Sequence, residues 1–454
     1  MKFHSERESA KDTVTDRHKH RIKSGEKKGT IVLLWAVIVG FLTGIVGAIF
    51  QIAIDKIDGL KELIISSAEH IPGGALAASV VISAVMVFVA FLLVRRIAPE
   101  TGGSGVQEIE GALDEVRPVR WRNVLPVKFI AGVLSLSGGM VLGREGPTIQ
   151  MGGNIGKMIG DFFKVGKDDS HALIAAGAGG GLSAAFNAPL AGILFVFEEM
   201  RPEFKYNFLS VQAVIIACAA SDIALRAFMG QSPDINMAML HTTPLKSLWL
   251  FLVFGFLFGI FGVVFNRVLI RTLNFFSNLK GWTFTLTGLY VGAFIGLLAW
   301  LYPDTIGGGY SVIPKALSGT MPVMILLTLF AARFGTTMVS YGSGAPGGIF
   351  APMLALGTLF GMWFGHYTHF WLPDTVSRPE VFAVAGMAAL FCATVRAPLT
   401  GITLTIEMTG NYDLILPLIL TCLTATLVAE SLGGKPIYTV LLRRTLNMAK
   451  NKIT

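Results

Sequence analysis

Apolar runs, several of them of membrane length, recur along most of the chain, broken by short polar or glycine-rich stretches. They fall at about 30–54, 76–94, 124–142, 172–197, 207–221, 248–265, 282–301, 321–332, 334–373, 381–395, 397–406 and 414–429. A hydrocarbon layer of about 30 Å needs roughly 20 apolar residues in helical form. Lipid leaves helices or closed barrels as the spanning forms, because backbone groups must be satisfied internally. The pattern predicts an all-α polytopic membrane protein. Its one long polar interlude, at 222–246, divides the chain into two halves, at about 30–227 and 247–430.

The breaks carry the candidate chemistry. Gly143-Arg144-Glu145-Gly146-Pro147 closes one apolar run and opens another. A charged side chain at bilayer depth costs about 2.5–3.5 kcal/mol even on lenient insertion scales. Pro147 fits the first position of a helix, and the glycines let backbone bend and approach a ligand. A helix start directs free N–H groups and partial positive charge forward, which makes an anion site. Glu145 then competes with a mobile anion and yields when protonated. The structural alternative is a capped helix start at a membrane surface.

Two further stretches share the design: Gly103-Ser104-Gly105-Val106-Gln107 and Gly348-Ile349-Phe350-Ala351-Pro352. If the three helix starts converge, their amides suit dehydrated chloride. Ser104 adds a hydroxyl donor, or merely caps its helix. Lys128 is the one charge within 124–142. It either snorkels to the interface or supplies fixed positive charge that raises anion occupancy.

The chain repeats itself. Ala188-Pro189-Leu190-Ala191-Gly192-Ile193 matches Ala397-Pro398-Leu399-Thr400-Gly401-Ile402 at an offset of 209 residues, and Ala112-Leu113 matches Ala316-Leu317 at 204. The glycine cluster at Gly102 has its counterpart near Gly307. Broken helices in corresponding halves point to a transport site between them. The sequence leaves open whether the repeats are inverted or parallel.

Composition narrows the class. The 454 residues are 53% hydrophobic and 15% charged, where soluble domains carry about 25% charged residues. Lys and Arg exceed Asp and Glu by 37 to 29, which reads as positive-inside loops rather than nucleic-acid binding. Cys218, Cys392 and Cys422 lie in apolar runs without pair spacing, and no metal-binding spacing occurs. Residues 1–29 form a basic, partly flexible tail with no cleavable signal. Glu198-Glu199 ends an apolar run. Adjacent carboxylates there are costly through desolvation and mutual repulsion, which suits a proton relay or marks a structural pair.

Gly102-Gly103-Ser104-Gly105 also fits the Gly-x-Ser-Gly pattern of rhomboid-like intramembrane serine proteases. Such an enzyme needs a histidine base at membrane depth. His366 and His369 sit in an apolar aromatic stretch but lack a glycine-rich helix suited to close approach.

Taken together, Gly103-Ser104-Gly105, Gly143-Arg144-Glu145-Gly146-Pro147 and Gly348-Ile349-Phe350-Ala351-Pro352 resemble the signature of the CLC family of chloride channels and proton/chloride exchangers, in order and spacing from about 30 to 446. The overall look is that of a bacterial exchanger. The resemblance implies a homodimer in the bacterial inner membrane, with one pore per subunit and two inverted repeats of tilted, partly re-entrant helices. It places a C-terminal helix from about 435, a tail at 447–454 and both termini in the cytoplasm. No CBS regulatory pair, metal or cofactor is expected. Ser104 and Tyr438 resemble the side chains that hold the central chloride, with Ile349 and Phe350 giving backbone amides. Glu145 resembles the external gating glutamate and Glu199 the internal proton-transfer glutamate. Channel members generally lack the latter, so the match favours an exchanger over a passive channel. The first motif departs from the usual Gly-Ser-Gly-Ile-Pro-Glu, with Val106-Gln107-Glu108 after Gly105. The retained serine favours chloride over nitrate.

Overall fold

The computed structural model describes residues 2–200, 206–232, 235, 237, 240, 244–376 and 378–450, with side chains from residue 29 onward in the first helix. The first half comprises α1 (Lys2–Ser67), α2 (Gly74–Arg96), α3 (Val106–Leu113), α4 (Trp121–Ser137), α5 (Glu145–Phe162), α6 (Lys167–Phe186), α7 (Pro189–Glu198) and α8 (Phe208–Met229). The second comprises α9 (Leu248–Ser277), α10 (Gly281–Thr285), α11 (Thr287–Leu301), α12 (Val312–Leu317), α13 (Val323–Gly342), α14 (Phe350–Trp371), α15 (Glu380–Val395), α16 (Pro398–Thr409) and α17 (Ile415–Ser431), and α18 (Ile437–Lys450) follows. Among the described residues, six helices are long and apolar enough to cross a membrane.

Several boundaries differ from the hydropathy reading, each for a local reason. α1 runs in one piece into the polar N-terminal segment and on to Ser67, with its apolar part at Gly29–Ser67. The uncharged run 172–197 is two helices. Asn187 takes a left-handed conformation at φ 52°, and Pro189 restarts the chain as α7. Asp222 lies within α8, where Arg226 pairs with it at 2.7 Å, so the polar interlude begins later than its charges suggested.

The two halves meet through contacts between equivalent residues. Gly143 N donates to Gly348 O at 2.9 Å, and Gly348 N to Gly143 O at 2.8 Å. Glu198 accepts from the amides of Leu399 (2.9 Å) and Thr400 (2.6 Å), at the start of α16. Glu407, 209 positions after Glu198, accepts from Leu190 (3.0 Å) and Ala191 (2.8 Å), at the start of α7. Contacts of this reciprocal kind mark a two-fold axis. Charge settles its direction. The α3–α4 connection carries Arg117 and Arg120, whereas the equivalent segment 318–322 has no Lys or Arg. Basic loops keep to one membrane face, so equivalent loops lie on opposite faces and the repeats are inverted.

Glycine permits the tight packing of α5 on α6 and of α14 on α15. A Cβ at Gly152 would lie 2.1 Å from Gly177 O, and one at Gly357 would lie 2.0 Å from Gly386 O. Backbone oxygens in two helices cannot retreat. Gly152→Val is therefore expected to cost at least about 1–3 kcal/mol, read as a lower melting temperature and aggregation in detergent. Gly335→Ala is the control, because a Cβ there meets nothing within 4 Å.

Candidate anion site

Three glycine-framed turns place the starts of α3, α5 and α14 together. The Gly143–Gly348 pairing joins the second and third turns. Gly103 N donates to Ala345 O (3.2 Å) and Gly347 N donates to Gly103 O (3.0 Å), which joins the first. A Cβ at Gly146 would fall 2.6 Å from Ser104 Oγ and 2.9 Å from Gly348 Cα. Only glycine permits that approach. Pro147 and Pro352 are each the third helical residue rather than the first. The proline is still tolerated there, because early N–H groups have no partner within a helix.

Glu145 stands at the centre, fully buried. Its Oε1 accepts from Phe350 N at 2.8 Å and Ala351 N at 3.2 Å, the first amides of α14. Its Oε2 has no hydrogen-bond partner. The carboxylate thus occupies an anion seat made by a helix N-terminus. Phe350 is Glu145's own equivalent, 205 positions on. One half supplies the acid and the other supplies the amides. Ile349 is the N-cap of α14, and Arg144 that of α5. Arg144 Nε donates to Ala185 O at 2.9 Å, and its guanidinium lies 4.5 Å from the Tyr310 ring centre.

Ser104 and Tyr438 are fully buried, and neither hydroxyl has a hydrogen-bond partner among the described residues. Tyr438 is held in α18 with its ring stacked 6.0 Å from Phe350, and its hydroxyl lies beside Ser104 without reaching bonding geometry. The capping role considered for Ser104 is not realised. Gly105, at φ 89°, is the N-cap of α3, and no side chain caps it. Among the described residues no side chain hydrogen-bonds Ser104 Oγ. Val106 and Gln107 open α3, and both are buried.

Lys128 does not snorkel. It is fully buried and donates to Thr101 O (2.9 Å) and Gly103 O (2.7 Å), drawing in the loop that presents Ser104. Arg333, 205 positions on, does the same in the second half, donating to Asp304 O (2.8 Å), Ile306 O (2.8 Å) and Gly307 O (2.6 Å). Sequence reading passed over Arg333 and Glu407, although the repeat offset leads to both from Lys128 and Glu198.

Glu198 is committed to the start of α16, where Thr400 Oγ1 adds a third donor at 2.7 Å. Glu199 is the half-buried C-cap of α7. One turn earlier, Phe195 lies 5.8 Å from the Phe350 ring. An apolar contact therefore connects the turn bearing Glu199 to the residue whose amide holds Glu145. The equivalent of Glu199 in the second half is Met408, fully buried.

Residues 86–430 match the family described as voltage gated chloride channel. The chain is 51% identical over 423 residues to the H(+)/Cl(-) exchange transporter ClcA of Vibrio parahaemolyticus, covering 92% of this chain and 91% of that one. It is 48% identical over 445 residues to the transporter of the same name from Salmonella arizonae, covering 96% and 94%. The crystal structure of a slow cyanobacterial Cl-/H+ antiporter superposes with a TM-score of 0.89 at 44% identity, covering 92% of this chain and 98% of that one. Inverted halves, three converging helix starts and likeness across nearly the whole chain agree, and this chain belongs to the CLC family.

Proposed function

We propose that the chain is a proton-coupled chloride antiporter. The observation that carries this reading is Glu145 lodged in the amide seat of α14, above two buried hydroxyls with no protein partner. Two hydrogen bonds to a charged group contribute about 1.5–3 kcal/mol each. Burying the charge costs about 2.5–3.5 kcal/mol. The terms nearly balance, so an arriving chloride or a proton suffices to release the side chain. Chloride then takes the amides of Ile349 and Phe350 and the hydroxyls of Ser104 and Tyr438. Glu199 passes protons to the inner side along a route partly separate from chloride. The buried ammonium of Lys128 adds positive potential behind the Ser104 loop. Likeness to two named H(+)/Cl(-) exchange transporters and to a Cl-/H+ antiporter supports the assignment.

In this reading the protein is a homodimer in a bacterial inner membrane, with both termini cytoplasmic and no cofactor. Leu190 and Leu399 lie exposed at the starts of the paired helices α7 and α16, a face suited to a second copy. A passive chloride channel is the second reading, since it needs Glu145 but no Glu199. Simultaneous recording of both ions in chloride-loaded proteoliposomes separates the two. Uphill proton movement driven only by the chloride gradient is expected. Chloride flux without proton movement would make the protein a channel.

A further inference from the structure

A third hydroxyl stands at the inner anion step. Tyr341, near the end of α13, is 1% exposed. Its Oη accepts a hydrogen bond from Ser104 N at 3.4 Å. Its ring lies against Gly103, where a Cβ would fall 3.4 Å from the hydroxyl and φ is +65°. Among the described residues the phenol proton meets no acceptor. Ser104 Oγ and Tyr438 Oη beside it also have no partner. Unsatisfied buried polar groups are rare in folded proteins and costly. Two hydroxyls without a partner, beside a third whose proton has no acceptor among the described residues, call for a shared acceptor.

An anion fits that role, because the surroundings are net positive. Tyr341 lines a cavity of about 470 Å³ together with Gly103, the acids Glu100 and Glu108, and four arginines, Arg95, Arg117, Arg120 and Arg444; Arg120 is paired with Glu100 at 2.6 Å. Arg117 is paired with Glu108 at 2.8 Å. Arg95 lies over Phe91 and Phe284. Arg444 is fixed by Asn274 Oδ1 (3.0 Å) and Leu273 O (3.1 Å), both neutral, and keeps its full charge. Ser104 and Tyr438 do not line this cavity. Tyr341 therefore stands between the Arg444 side and the Ser104 and Tyr438 hydroxyls.

We propose that Tyr341 is an anion ligand, donating its phenol proton to chloride as the ion passes from the cavity to Ser104 and Tyr438. This rests on the chloride-transport reading and adds a specificity-determining side chain to it. Its equivalent in the other half is Leu136, so the third hydroxyl exists on one side only.

Tyr341→Phe keeps the ring against Gly103 and removes only the donor. Chloride binding to the purified variant, measured by calorimetry, is expected to weaken about tenfold, the loss of one hydrogen bond to a charged group. In oriented proteoliposomes the KM for chloride should rise from the Arg444 side alone, with the proton-to-chloride ratio unchanged. 3-Fluorotyrosine placed at position 341 keeps the shape with a stronger donor and should tighten binding. Wild-type affinity in the phenylalanine variant would overturn the proposal, leaving the hydroxyl as a support for Ser104 N. Equal KM changes from both sides would also overturn it. If the wild-type protein itself neither binds nor moves chloride, the function proposed above falls, and this inference with it.

Discussion

Glu145→Ala is expected to carry chloride at a substantial rate while losing uphill proton movement altogether. The carboxylate fills the seat made by Phe350 N and Ala351 N. Without it, chloride meets an open seat from both sides. The carboxyl at the seat is also gone, so the seat itself has no group to bind a proton. A positioned proton-transfer group contributes about 10²–10⁴-fold, so coupling should fall by at least about 10²-fold, below detection. The pH dependence of chloride flux should flatten as well, because in the proposed mechanism protonation of Glu145 is one of the two ways the seat opens. Paired chloride- and proton-electrode traces give the answer. A variant that still drove protons against their gradient would place the coupling acid elsewhere.

Glu199→Gln should uncouple protons with the opposite effect on pH sensitivity. Glutamine keeps the shape at the end of α7 and removes the titrating group. Chloride flux continues, Glu145 remains, and pH still changes the flux. The Glu198→Gln variant makes the contrast sharp. Glu198 is bound by Leu399 N, Thr400 N and Thr400 Oγ1. Glutamine offers one acceptor oxygen in place of two, so this variant should lose stability, seen as a lower melting temperature, while it keeps its proton-to-chloride ratio. Coupling that survives Glu199→Gln and vanishes in Glu198→Gln would reverse the assignment.

The structure also explains why proton coupling is one-sided within a two-fold frame. Glu145 pairs with Phe350 and Glu199 with Met408, so both acids of the proposed proton route lie in the first half. The scaffold is symmetric where it needs matched packing, as at Gly152 and Gly357, Lys128 and Arg333, or Glu198 and Glu407. It is asymmetric where it needs a direction.

The amino-acid sequence by itself determined the membrane class, most helices, the three glycine-framed helix starts and the duplication. These follow from local chemistry. Long apolar runs must be helical in lipid, Gly and Pro mark the breaks, and a repeated hexapeptide preserves its offset. The tertiary structure decided the rest. It showed that Glu145 sits on the amide of a residue 205 positions away, that Lys128 is turned inward to carbonyls, and that Glu198 is bound at the start of α16. It also brought Tyr341 to Ser104 from 237 positions away. Nothing local marks a tyrosine near the end of an apolar helix as more than core. Its surroundings come from elements far apart in the chain, and only packing across the two-fold axis brings them into reach.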